Sequence, residues 1–176
     1  MGLLPLWWWL AERFNETGEM EWQLAALATY LGAAISDAID GYVARRFDQK
    51  STFGAALDAA VDKIFSVFTL GYLAIQGWGG FSPLPMWFFA LTVFRDLLIL
   101  GGLFTLYRVH RSVPMVPLTS GKVTTILLFV LASVAQAAFS PGLTSVLLWL
   151  STVALVVSGV LYTRWGIQQL NHPGKA

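Results

Sequence analysis

Apolar runs about one bilayer long alternate with short polar stretches along the 176-residue chain. A helix needs about 20 residues to cross roughly 30 Å of hydrocarbon. Five runs meet that length: Trp22–Ala44, Phe53–Ile75, Pro85–Tyr107, Gly121–Phe139 and Leu143–Trp165. A sixth, Leu3–Ala11, is Trp-rich but about half a span long, and reads as the tail end of a first helix. Glu12–Glu21 then reads as a polar loop. The pattern predicts an all-α, polytopic membrane helix bundle. With no internal repeat and no low-complexity linker, residues 1–176 form a single domain.

Composition supports the class. The chain is 56% hydrophobic and 12% charged, half the charged fraction of an ordinary soluble domain, which is about a quarter. A net charge of +1 excludes a nucleic-acid partner recruited by bulk charge. The absence of cysteine excludes disulfides, thiolate metal sites and cysteine nucleophiles. Lysine and arginine set the orientation, because cytoplasmic loops are enriched in them. Arg45, Arg46 and Lys50 fall in one connection, Arg108 and Arg111 in another with Lys122 just beyond it, and Arg164 and Lys175 at the C-terminal end. The opposite connections, Gly77–Leu84 and Ser140–Gly142, hold none. These connections place the basic ends in the cytoplasm, as in an integral protein of a bacterial cytoplasmic membrane with its site facing inward. Trp7–Trp9, Trp22, Trp78 and Trp165 stand at predicted helix ends and read as interface anchors.

The acidic residues carry the chemistry. Asp37, Asp40, Asp58, Asp62 and Asp96 lie inside apolar runs. Each carboxylate at mid-helix costs about 2.5–3.5 kcal/mol, so the first four together ask for roughly 10–14 kcal/mol if left without partners. Asp37 and Asp40 share one helical face by i,i+3 spacing, and Gly54, Asp58 and Asp62 share another by i,i+4 spacing. The two helices are consecutive and joined by a short loop, so counting outward from residue 49 brings the four carboxylates to one depth. Lys63 points about 100° away from Asp62. All-oxygen donors favour hard divalent ions, Mg²⁺ or Mn²⁺. Two such ions about 3.5–4 Å apart are the usual clamp for displacement at phosphorus. Gly41 and Gly54 let a substrate approach the backbone, and Arg45 supplies a fixed cation suited to a diphosphate.

The pattern Asp37-x-x-Asp40-Gly41-x-x-Ala44-Arg45, eight residues, Gly54-x-x-x-Asp58-x-x-x-Asp62 resembles the signature of the CDP-alcohol phosphatidyltransferase family at every defined position. The resemblance implies a six-helix membrane enzyme that displaces CMP from a CDP-linked lipid with an alcohol. It implies that Asp37, Asp40 and Asp58 hold two metal ions, with Asp62 near the second ion and acting as general base. It implies that Gly41, Ala44, Arg45 and Gly54 line the CDP site. The family's usual complete first helix, preceded by a stretch with an Asn-Pro pair, a Thr and an Arg, has no match here, so the first helix is expected to be truncated.

Arg95-Asp96 and Gly121-Lys122-x-x-Thr125 look like the RD and GK elements of phosphatidylglycerophosphate synthases and eukaryotic-type cardiolipin synthases. Arg95, Arg108, Arg111 and Lys122 are the candidate grips for an acceptor phosphate. The reading is transfer from CDP-diacylglycerol to glycerol 3-phosphate. Phosphatidylglycerol, inositol phosphate and serine remain alternative acceptors, and an ion-coupled small transporter is the alternative outside the class. Arg95 and Asp96 point about 100° apart on a helix, so each is also expected to pair separately and brace the bundle. Gly101 and Gly102 suit either close helix packing or a homodimer face.

Overall fold

The computed structural model describes the backbone of residues 3–46, 52–79, 82–110 and 119–171, with side chains at all of these except 37–38, 40–46, 52–62, 103, 107, 110 and 171. The described residues form six helices: α1 (Leu3–Thr17), α2 (Met20–Arg46), α3 (Thr52–Ile75), α4 (Met86–His110), α5 (Thr119–Ala137) and α6 (Pro141–Asn171). Among them α4, α5 and α6 carry stretches long and apolar enough to cross a membrane, and α3 adds the apolar segment Lys63–Ile75. The chain is a membrane-integrated helical bundle.

Helix boundaries differ from the expected ones where polar residues are helical. The stretch expected as a loop, Glu12–Glu21, continues α1 to Thr17 and starts α2 at Met20. Its polar side chains pair along the helix: the Trp8 indole donates to Glu12 at 2.9 Å, and Arg13 meets Glu16 at 3.3 Å. Phe14 and Ala11 are buried on the other side. Gly18, at φ +70°, ends α1, with its N–H donating to the Phe14 carbonyl at 2.8 Å. Arg45 and Arg46 belong to α2 and Arg108 to α4, rather than to the connections, and Arg164 lies within α6 as expected. Pro141 opens α6 at a position that needs no N–H partner.

The residues divide into two compact units, Met1–Leu84 with Ala132–Pro141, and Pro85–Leu131 with Gly142–Ala176. The first unit is built around Trp7, which is fully buried. Its ring stacks on Trp78 at 6.3 Å and meets Tyr72 edge-on at 5.4 Å. Phe14 packs on Trp78 at 5.2 Å, and Tyr30 stacks on Phe65 at 5.6 Å. Trp7 and Trp78 are therefore core residues and not the interface anchors expected, whereas Trp8 and Trp9 are exposed.

Several polar atoms inside this cluster have partners, whereas the buried Trp78 Nε1 has none among the described residues. Trp7 Nε1 donates to Gln136 Oε1 at 2.7 Å, Gln136 donates to the Ala132 carbonyl at 3.2 Å, and Gln23 donates to the Gln136 carbonyl at 2.9 Å. Asn15 donates to Tyr72 Oη at 3.0 Å and accepts the Gly79 N–H at 2.8 Å. Without nearby water a buried polar group must find such partners or cost free energy, so these bonds specify how α1 docks.

In the second unit, α4, α5 and α6 meet through polar and small residues. Thr124 Oγ1 donates to the Ala154 carbonyl at 3.1 Å, tying α5 to α6. Trp87 and Trp149 pack at 5.8 Å near the N-terminal ends of α4 and α6. A Cβ on Gly101 or Gly102 would meet nothing within 4 Å, so neither glycine serves close packing within the described chain.

Candidate active site

The aspartate pattern lies on two unbroken helices. Asp37, Asp40, Gly41, Ala44 and Arg45 belong to α2, and Gly54, Asp58 and Asp62 belong to α3. Helical backbone through both sets is the condition for i,i+3 and i,i+4 residues to share a face. The side chains of these eight residues are outside the described set, as is the whole of Arg111. Among the described residues, no three His, Cys, Asp or Glu side chains come together as metal ligands.

The acceptor candidates on the second unit differ from one another. Lys122, in the first turn of α5, is exposed. Arg108 is exposed near the C-terminal end of α4, and its Cζ lies 5.2 Å from the Phe104 ring centroid. Arg95 is instead buried, with 5% of its surface accessible. Its Nη1 donates to Asp96 Oδ1 at 2.8 Å and its Nη2 donates to Ser158 Oγ. Its Cζ lies 5.6 Å from the Tyr162 ring centroid, and its buried Nε has no partner. Arg95 and Asp96 thus pair with each other, where adjacency on a helix predicted separate partners. The long arginine stem swings across the angle that the backbone sets between neighbours.

Ser158 and Tyr162 were not singled out by sequence. They stand at i,i+4 on α6, on one face with Ala154, which takes the Thr124 bond. Their spacing inside an apolar run is the signal that could have found them. Gly121, the first residue of the GK pair, packs against the same tyrosine: a Cβ there would sit 2.8 Å from Tyr162 Oη. The RD and GK elements, 26 positions apart in sequence (95 to 121), therefore meet on one α6 side chain.

Comparison with known proteins bears on the same features. The family model described as CDP-alcohol phosphatidyltransferase matches residues 1–157. A CDP-diacylglycerol–glycerol-3-phosphate 3-phosphatidyltransferase of Aquifex aeolicus is 31% identical over 154 residues, 84% of this chain and 83% of that protein. A protein of the same name from Cereibacter sphaeroides is 38% identical over 76 residues, 43% of this chain and 34% of its own length. A cardiolipin synthase (CMP-forming) of Streptomyces coelicolor is 32% identical over 99 residues, 55% of this chain and 42% of its own. The last two alignments span less than half of those relatives. With four aspartates at the family's spacing on consecutive helices and a match that runs through both compact units, the chain belongs to the CDP-alcohol phosphatidyltransferase family.

Proposed function

We propose that the protein transfers the phosphatidyl group of CDP-diacylglycerol to glycerol 3-phosphate, forming phosphatidylglycerophosphate and releasing CMP. The observation that carries this reading is the placement of Asp37, Asp40, Asp58 and Asp62, at the family's spacing, on the two uninterrupted helices α2 and α3. The extent of the match to the Aquifex aeolicus relative supports glycerol 3-phosphate as acceptor.

Four carboxylates suit hard divalent ions: Asp37, Asp40, Asp58 and Asp62 would hold two Mg²⁺ or Mn²⁺ ions. When bound, the ions neutralise the diphosphate and stabilise charge on departing CMP. Arg45 holds the diphosphate electrostatically, and Gly41, Ala44 and Gly54 admit the nucleotide close to the backbone. Asp62 takes the proton of the acceptor hydroxyl as that oxygen bonds to the lipid-bearing phosphorus, and the bond from this phosphorus to the CMP oxygen breaks. Lys122, Arg108 and Arg111 grip the acceptor phosphate, and Arg95 supports that grip from inside the helix bundle. Basic residues at one set of helix ends orient the site toward the cytoplasm of a bacterial cell.

The test is CMP release by purified protein from CDP-diacylglycerol, with Mg²⁺ or Mn²⁺, against glycerol 3-phosphate, phosphatidylglycerol, inositol phosphate and serine. Release with glycerol 3-phosphate is the expected result. The Streptomyces coelicolor match favours phosphatidylglycerol as the second candidate, and release with it alone would make the product cardiolipin. No CMP with any acceptor would remove the enzyme reading and leave the transporter.

A further inference from the structure

We propose that Tyr162 is a positioning residue for acceptor recognition. It holds the buried Arg95 and the Gly121-Lys122 turn in one arrangement, so that Lys122 emerges at a fixed place. This inference rests on the phosphorylated-acceptor reading given above.

Two contacts converge on the Tyr162 ring, and neighbouring bonds fix the groups that make them. One face carries the Arg95 guanidinium, with Cζ 5.6 Å from the centroid. Ser158, one helical turn earlier on α6, accepts from the same guanidinium, so the cation is held at two points by α6 and at a third by Asp96. Such a cation over an aromatic ring is attracted more strongly when desolvated, as the 5% exposure of Arg95 makes it. Gly121 meets the edge and hydroxyl of the ring so closely that a methyl group there would stand 2.8 Å from Oη and 3.2 Å from Cε2. The next residue, Lys122, is exposed. Thr124, one turn on, donates to the Ala154 carbonyl and pins the same part of α5 to α6.

This arrangement assigns different work to two cations that look alike in sequence. Arg95 is enclosed by protein groups and acts through Tyr162, whereas Lys122 is open to an incoming anion. A small shift of the ring moves the α5 turn that carries Lys122.

The experiment uses the full-length protein and measures KM for glycerol 3-phosphate and for CDP-diacylglycerol separately. Tyr162→Leu and Gly121→Ala should each raise KM for glycerol 3-phosphate about tenfold, leaving KM for CDP-diacylglycerol within about twofold. The double variant Gly121→Ala/Tyr162→Phe removes the hydroxyl that the new methyl would strike, so it should bring KM for the acceptor back to within about threefold of the starting value. Loss of general stability would move both constants. Parallel changes in both KM values, no change in either, or absence of rescue would overturn the positioning role while the unaltered protein still turned over. An unaltered protein that releases no CMP would overturn the proposed function, and this role with it.

Discussion

The hydrogen bond between Trp7 and Gln136 offers a quantitative test of how α1 is held. Both residues are fully buried, and the indole N–H donates to Gln136 Oε1 at 2.7 Å. Gln136→Leu leaves that N–H without its acceptor, and Trp7→Phe leaves Oε1 without its donor. Orphaning a buried group costs about 1–3 kcal/mol in water-soluble proteins. In bilayers the measured couplings are smaller, averaging about 0.6 and reaching about 1.7 kcal/mol, because the unfolded chain also finds partners. Trp7→Phe further sacrifices ring area against Trp78 and Tyr72, but that loss occurs in both the single and the double variant and cancels in a cycle. Trp7→Phe/Gln136→Leu should therefore be less destabilised than the sum of the single changes by about 0.6–1.7 kcal/mol. Reversible unfolding by sodium dodecyl sulfate in mixed micelles measures all four corners. Strict additivity, within about 0.3 kcal/mol, would refute the reasoning and reduce the contact to one of shape alone.

Four further outcomes follow from described features. Asp62→Asn should retain CDP-diacylglycerol binding and lose CMP release, and retained turnover would remove Asp62 from the base role. Chelation should abolish CMP release, with Mg²⁺ or Mn²⁺ restoring it; activity that survives exhaustive chelation would count against the carboxylates as ligands. Gly79 and Gly18 both have positive φ, +52° and +70°, but a Cβ overlaps the Phe14 ring only at Gly79. Gly18→Ala should cost about 1–2 kcal/mol for the backbone alone and Gly79→Ala distinctly more, so equal losses in the same unfolding titration would contradict that packing. Because the chain lacks cysteine, single replacements report orientation without background. Ser82→Cys should react with an impermeant maleimide in intact cells and Gln168→Cys only after lysis, both positions being exposed; the opposite pattern would invert the topology.

The helices and the aspartate pattern were legible because each rests on one strong local signal. Apolar runs of span length have few alternatives, and four acids in such runs are too costly to be incidental. Glu12–Thr17 was misread as loop because its charged residues are polar in composition yet support a helix, Arg13 pairing with Glu16 at i,i+3 and Glu12 accepting from Trp8 at i,i+4. Trp7 and Trp78 show a different limit. Tryptophan suits both a membrane interface and a core that supplies an acceptor, and only the position of Gln136, far away in sequence, decided for Trp7. Tyr162 and Ser158 carry no charge and are ordinary in membrane helices, so their partnership with Arg95 became visible only when α4 and α6 were placed side by side. The overrun of α6 past Trp165 has a simpler cause: nothing from Gly166 to Asn171 breaks a helix, and the next proline is Pro173.

That overrun makes α6 a rigid rod of 31 residues, about 46 Å long at roughly 1.5 Å per residue. Hydrocarbon is about 30 Å thick, and a bilayer with its headgroups about 40–45 Å. An unbroken rod cannot fold its surplus away, so the difference is taken up by inclination or by emergence into the headgroup layer. Arg164 stands roughly 35 Å along it from Pro141, and its elevation is set by residue count and rod angle rather than by a pliable loop. Membrane thickness thereby becomes a mechanical input to this end of the molecule.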